Sequence, residues 1–344
     1  MHNSYMFYPF GVSLYTTTVS PYNALLSIPI QLLTSSLITT YNILFLSSFI
    51  LSGYGMHLLS RYITGDELSS YAAGFIFAFS PYRFGHALGH LNLITTQFIP
   101  FYVLFLLKLL RNPSLKNGFA TGIFLGMVAL SSQHYLFYSL ILTLFILIFQ
   151  RQLVKAKILT SLGGLALSLL VTSLISYPFY VGAVVEFLLG KASYIYLPLP
   201  YLSRFSTDLG SLFIPTVFHP LFGSFTQTLY GKMQGNIAED TLYLGFTSIF
   251  LSIYALVKCR RMAFQWLVVF IVFLLLSLGP CILFMGENLG PSPTFFLYPF
   301  LSFSVSSRFI VMAILALSIM AAIGLSHLRK TLNLSLPKIF PITS

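Results

Sequence analysis

Acidic side chains are nearly absent from this sequence: seven Asp and Glu stand among 344 residues, and charged residues of both signs make up only 7% of the chain. Soluble domains use about 25% charged residues, so a water-facing globular surface of ordinary composition is excluded. Cysteine is equally scarce. Cys259 and Cys281 flank one apolar segment at opposite ends, which excludes a disulfide between them. Phosphate-loop Gly-x-x-x-x-Gly-Lys, nucleophile-elbow Gly-x-Ser-x-Gly and zinc-protease His-Glu-x-x-His patterns are missing as well, which removes the enzyme classes they mark. No internal repeat and no low-complexity stretch is evident.

What is present is apolar, with 57% hydrophobic residues and a mean hydropathy of +0.87. The net charge of +11 does not point to nucleic acid, because the basic residues punctuate apolar segments and form no single basic face. They gather in short gaps: Lys108, Arg111 and Lys116; Arg151, Lys155 and Lys157; Lys258, Arg260 and Arg261; Arg329, Lys330 and Lys338. Cytoplasmic loops collect Lys and Arg in this way, and anionic headgroups accommodate them. The expected class is an all-α polytopic transmembrane bundle in the plasma (inner) membrane.

The pattern predicts about nine crossings, at about 37–60, 68–80, 91–110, 118–132, 135–150, 158–177, 241–257, 262–285 and 309–328. A crossing takes about 20 apolar residues, so the second, fourth and fifth are short. Lys116 and Arg151 flank 118–150 and make that pair a hairpin with both ends inside. This assignment puts 13 of the 18 Lys and Arg inside and leaves Arg83, Lys191, Arg204, Lys232 and Arg308 outside. One transmembrane domain results: a partial outer loop at 1–36, a six-helix part at 37–189, an extracytoplasmic loop at 190–240, a three-helix part at 241–328 and a cytoplasmic tail at 329–344. The N-terminus is expected outside. Residues 1–36 lack the form of a signal peptide, and an upstream helix with part of the first outer loop is expected to precede them.

The outer side holds the polar candidates. Within 81–92, Arg83, His86, His90 and Asn92 converge between two apolar segments. A guanidinium at the membrane boundary suits a phosphate, and two His four residues apart share a helix face. The alternative is an Arg snorkelling to headgroups and two His bridging helix ends. A metal site has no evident third ligand. His134, in the turn 131–135 of the short hairpin, is expected below the membrane surface, where irregular backbone requires protein or a wet cavity. There it either meets a substrate headgroup or bonds the turn. Asp208, Glu239 and Asp240 are carboxylates able to act as general bases, or simply solvated loop residues. Arg308 stands where the last apolar segment begins, suited to an anionic headgroup or to snorkelling.

The order YPFG, FAFSPYRFGHALGHLN, SSQHYLFY, HPLFG, EDTLYLGF and FLSFSVSSRF resembles GT-C-type integral membrane glycosyltransferases, over essentially the whole chain. The resemblance implies transfer of a sugar from a polyprenyl-phosphate donor to a glycan, lipid or protein acceptor on the outer face, with no cofactor beyond a possible divalent metal. It implies Arg83, His86, His90, His134, Glu239 and Arg308 as pocket residues. It also implies a catalytic carboxylate before YPFG, and residues 1–36 contain no Asp or Glu. Two other functions fit the composition: a flippase of a lipid-linked glycan, which should show inverted repeats and intramembrane charges, and a non-catalytic subunit of a glycan-assembly complex.

Overall fold

A computed structural model describes residues 2–5, 8–15, 19–190 and 196–333, apart from the side chains of His2 and Pro299. Lys191 and the tail from 334, with Lys338, lie outside the described residues. The helices run in the order α1 Pro21–Thr34, α2 Leu37–Thr64, α3 Glu67–Ala78, α4 Pro81–His86, α5 Leu91–Ile94, α6 Phe98–Arg111, α7 Leu115–Ser131, α8 Gln133–Phe149, α9 Arg151–Ala156 and α10 Ile158–Leu188. They continue with α11 Leu199–Arg204, α12 Gly223–Tyr230, α13 Ile237–Asp240, α14 Phe246–Lys258, α15 Arg260–Ser277, α16 Tyr298–Leu301 and α17 Ile310–Thr331. Five segments are long and apolar enough to cross a membrane: Leu37–Thr64, Leu91–Arg111, Ile158–Leu188, Arg260–Ser277 and Ser306–Thr331. Leu115–Ser131, Gln133–Phe149 and Phe246–Lys258 are shorter apolar helices.

Local chemistry sets the helix ends. Gly65, at φ +67°, ends α2 in the left-handed region where a Cβ is costly. Asp66 then caps α3 by accepting from Ser69 N at 2.9 Å, and Ser114 caps α7 by accepting from Asn117 N at 3.2 Å. Gly279, at φ +75°, followed by Pro280 stops α15.

Four details differ from the sequence pattern. The segment 21–34, read as loop, is helical. The segment 91–110 is interrupted at Thr95–Gln97. The helix beginning at 158 continues through Pro178 to Leu188. The segment 262–285 is helical only to Ser277 and then turns into a two-stranded antiparallel ribbon, β3 Cys281–Phe284 with β4 Glu287–Pro291. A smaller ribbon pairs β1 His2–Asn3 with β2 Val12–Ser13. Both cysteines are free, as their positions required.

Helix α17 is the central element, with 94% of its apolar window buried, whereas only 28% of the window in α10 is buried. Close approach between helices relies on missing side chains. On α7, Gly118, Gly122 and Gly126 recur every four residues; a Cβ on Gly118 would lie 2.7 Å from the Gly164 carbonyl oxygen of α10, and one on Gly122 would lie 2.6 Å from that of Ser168. In lipid, where apolar burial drives little helix association, such small-residue seams let backbone approach backbone.

Candidate functional site

Helix α4 ends in His86, α13 ends in Glu239 and Asp240, and the turn Ser306–Phe309 leads into α17. Asn236 caps α13, accepting from Ala238 N and Glu239 N at 3.0 Å, and so fixes where Glu239 projects. Gly85 lets α4 dock on α13, since a Cβ there would stand 2.9 Å from the Ala238 carbonyl oxygen and from Thr241.

Glu239 is the centre of the arrangement and is only 2% exposed. Arg308 donates to its Oε1 from Nε at 3.0 Å and from Nη2 at 2.8 Å, and Ser307 Oγ donates to Oε2 at 2.5 Å. His86 Nε2 lies 3.7 Å from Oε2, and its Nδ1 lies 3.5 Å from Nδ1 of His90. Tyr82 packs edge-on against His86 at 4.4 Å and shares a hydrogen bond with Tyr135 across 3.0 Å. His134 stacks on Phe303, 6.2 Å between ring centres, one turn from the Tyr138–Ser304 hydroxyl pair at 2.5 Å. Several buried polar atoms here have no partner in the protein: His86 Nε2, His134 Nδ1, Ser132 Oγ and Ser306 Oγ. Natural interiors seldom leave such atoms unbonded.

The family model described as a domain of unknown function, DUF6311, matches residues 1–339. The chain belongs to the DUF6311 family. No curated protein and no solved structure matches it.

In this DUF6311 chain the structure brings together His86, His90, His134, Glu239 and Arg308, from segments up to 222 positions apart (308 − 86). Arg83 goes elsewhere. It is fully buried, with its guanidinium 4.2 Å from the Phe49 ring centre, and it donates to the carbonyls of Ala78 and Ile94, each at 2.8 Å, and to Ser48 Oγ at 3.0 Å. Those carbonyls belong to the C-terminal ends of α3 and α5, where the helix supplies no donor. Arg83 thus ties two broken helix ends together. Arg83→Ala should leave the Ala78 carbonyl unpaired, at about 1–3 kcal/mol, and the Ile94 carbonyl with only its bond from Thr96 N at 2.8 Å; a clearly lowered melting temperature in detergent is the expected readout.

Asp208 is also committed elsewhere. Asp208 accepts from Gly210 N at 2.8 Å, Met285 N at 3.0 Å and Gly286 N at 2.7 Å, and so fastens the tip of the β3–β4 ribbon. Burial pushes the Asp240 carboxyl up to about 7, and the charges of Asp208 and Glu239 add to that shift. Burial pushes Glu239 up too, but Arg308 and the Ser307 hydrogen bond outweigh it and hold this carboxyl below its usual range. Burial lowers His86 to about 4, so its imidazole is neutral near pH 7. Among the described residues no group of three or more His, Cys, Asp or Glu could hold a metal ion. Tyr82, Tyr135, Tyr138 and Ser307 were not singled out from the sequence. Their only signal was adjacency to His86, His134 and Arg308.

Proposed function

We propose that this protein is a polytopic membrane glycosyltransferase, or a portion of one, that takes a sugar from a polyprenyl-phosphate donor at the extracytoplasmic face of the plasma membrane. The observation that carries this reading is the convergence of Arg308, Glu239 and three His at one buried place, together with the GT-C-like order of the segments that supply them. The nine-crossing topology, with the basic gaps in the cytoplasm, puts these segments on the outer side.

In this reading the donor phosphate takes a place beside Arg308, whose Nη1 is not engaged by Glu239. Sharing the guanidinium weakens its hold on Glu239 and raises that carboxyl toward the range of a useful base. Glu239 then accepts the proton of the acceptor hydroxyl. The acceptor oxygen bonds to the anomeric carbon, the bond from that carbon to the phosphate oxygen breaks, and polyprenyl phosphate leaves with its charge stabilised by Arg308. An apolar cavity of about 580 Å³, walled by Phe79, Phe84, Pro220, Tyr243 and Phe246, lies on the other side of α4 and suits the isoprenoid chain.

Glu239→Gln tests both halves of the mechanism. In nanodiscs it should bind a polyprenyl-phosphate hexose at least as tightly as the native protein, because a competing charge is gone. It should also transfer the sugar to membrane acceptors at least about 100-fold more slowly, the lower end of the range that general-base catalysis contributes. Undiminished transfer removes Glu239 as base, and absence of donor binding by the native protein removes the function.

A further inference from the structure

A furrow enclosing about 800 Å³ runs between α2 and α3, sharing Phe75 and Phe79 at one end with the cavity beside α4. Its floor forms where Gly53 meets Gly74 backbone to backbone, since a Cβ on Gly74 would stand 2.6 Å from the Gly53 carbonyl oxygen. With no side chains at the contact, Phe49, Tyr54, Tyr71 and Phe75 rise on either side as walls, and Leu325 of α17 closes the back. Tyr54, Tyr71 and Phe75 are more than half exposed. In a bilayer such a furrow faces acyl chains, because its walls are apolar and exposed.

One end is polar. His57 lines the furrow, and its Nε2 lies 3.4 Å from Glu67 Oε1, while Arg61 Nε pairs with Glu67 Oε2 across 2.8 Å. Arg61 and Glu67 remain 57% and 36% exposed. The same end carries the Asp66–Arg329 pair, and Tyr62 lies under Lys108 and Arg111. This is the level of a lipid headgroup. From His57 to Phe49 the furrow rises eight residues along α2, or about 12 Å, close to one leaflet of a core about 30 Å thick.

We propose that the furrow is a binding site for a phosphatidylethanolamine-type phospholipid of the inner leaflet. One acyl chain lies over Gly53 and Gly74, the phosphate meets Arg61 and the ammonium meets Glu67. Charge complementarity selects this occupant: an exposed cation and an exposed anion side by side match a zwitterionic headgroup. Choline carries no N–H to donate to Glu67, and a glycerol headgroup carries no positive charge. The assignment is independent of the glycosyltransferase reading and stands or falls separately.

Native mass spectrometry of the full chain, released from nanodiscs that hold equal amounts of phosphatidylethanolamine, phosphatidylglycerol and phosphatidylcholine with identical acyl chains, tests it. One phosphatidylethanolamine should stay bound, at least tenfold over the other two. Arg61→Gln and Glu67→Gln alter only a surface pair of small energetic worth and should each cut that retention severalfold. Ala72→Trp, which fills the furrow without touching the Gly53–Gly74 contact, should abolish it. Equal retention of the three lipids, preference for phosphatidylglycerol, unchanged retention in both headgroup variants, or a lipid-free dimer held through this face would each overturn the assignment.

Discussion

Arg308→Ala is expected to cost about 3–5 kcal/mol, the loss that follows when one partner of a buried ion pair is removed. Glu239 is 2% exposed and takes both of its Arg308 hydrogen bonds on one oxygen, so without the guanidinium it keeps only the Ser307 hydroxyl and a neutral imidazole. The ionised carboxylate is then the wrong species for that place, and the variant should recover stability in acid. The native pair behaves oppositely. Its folded-state carboxyl titrates below the unfolded value, so its contribution is present above the unfolded value and fades as pH falls through the folded one. Arg308→Ala combined with Glu239→Gln should regain more than half of the loss, because no uncompensated charge stays buried. Melting curves in detergent, followed by the emission of the single Trp266, report both effects. Equal losses in the single and double variants would show that Arg308 acts by packing alone.

Asp240→Asn should have the opposite sign. The Asp240 carboxyl, pushed up to about 7 from 3.8 by burial and by its acidic neighbours, binds its proton more tightly folded than unfolded. Its favourable contribution is therefore complete below about pH 4 and is lost as pH rises through about 7. A difference of about three pH units corresponds to about 4 kcal/mol. Asn cannot ionise, so the variant should match the native protein near pH 4 and exceed it by up to that amount at pH 8. Parallel melting-temperature profiles for the two proteins from pH 4 to pH 8 would contradict this.

The neighbours Glu239 and Asp240 show how far the sequence could be read. Both were visible as carboxylates in an outer segment. Their opposite environments were not, because adjacent helical residues point about 100° apart and what each then meets depends on packing. Arg83 and Arg308 illustrate the same point. Each precedes or follows an apolar run and each looked like a phosphate ligand, yet Arg83 is consumed by two helix-end carbonyls and Arg308 by a carboxylate 69 residues away.

The sequence by itself determined that several helices are long and apolar enough to cross a membrane, and the helical segments near 37, 118, 135 and 309, because apolar run length, caps such as Ser114 and the Gly65–Asp66 stop-and-start are local properties. Only the tertiary structure decided the interruption at Thr95–Gln97, the ribbon after Gly279 and the meeting of α4, α8, α13 and α17 around Glu239. Those depend on which backbone groups find partners across the bundle, and a carbonyl such as that of Ala78 gains its donor from a guanidinium five residues later only once the chain has packed.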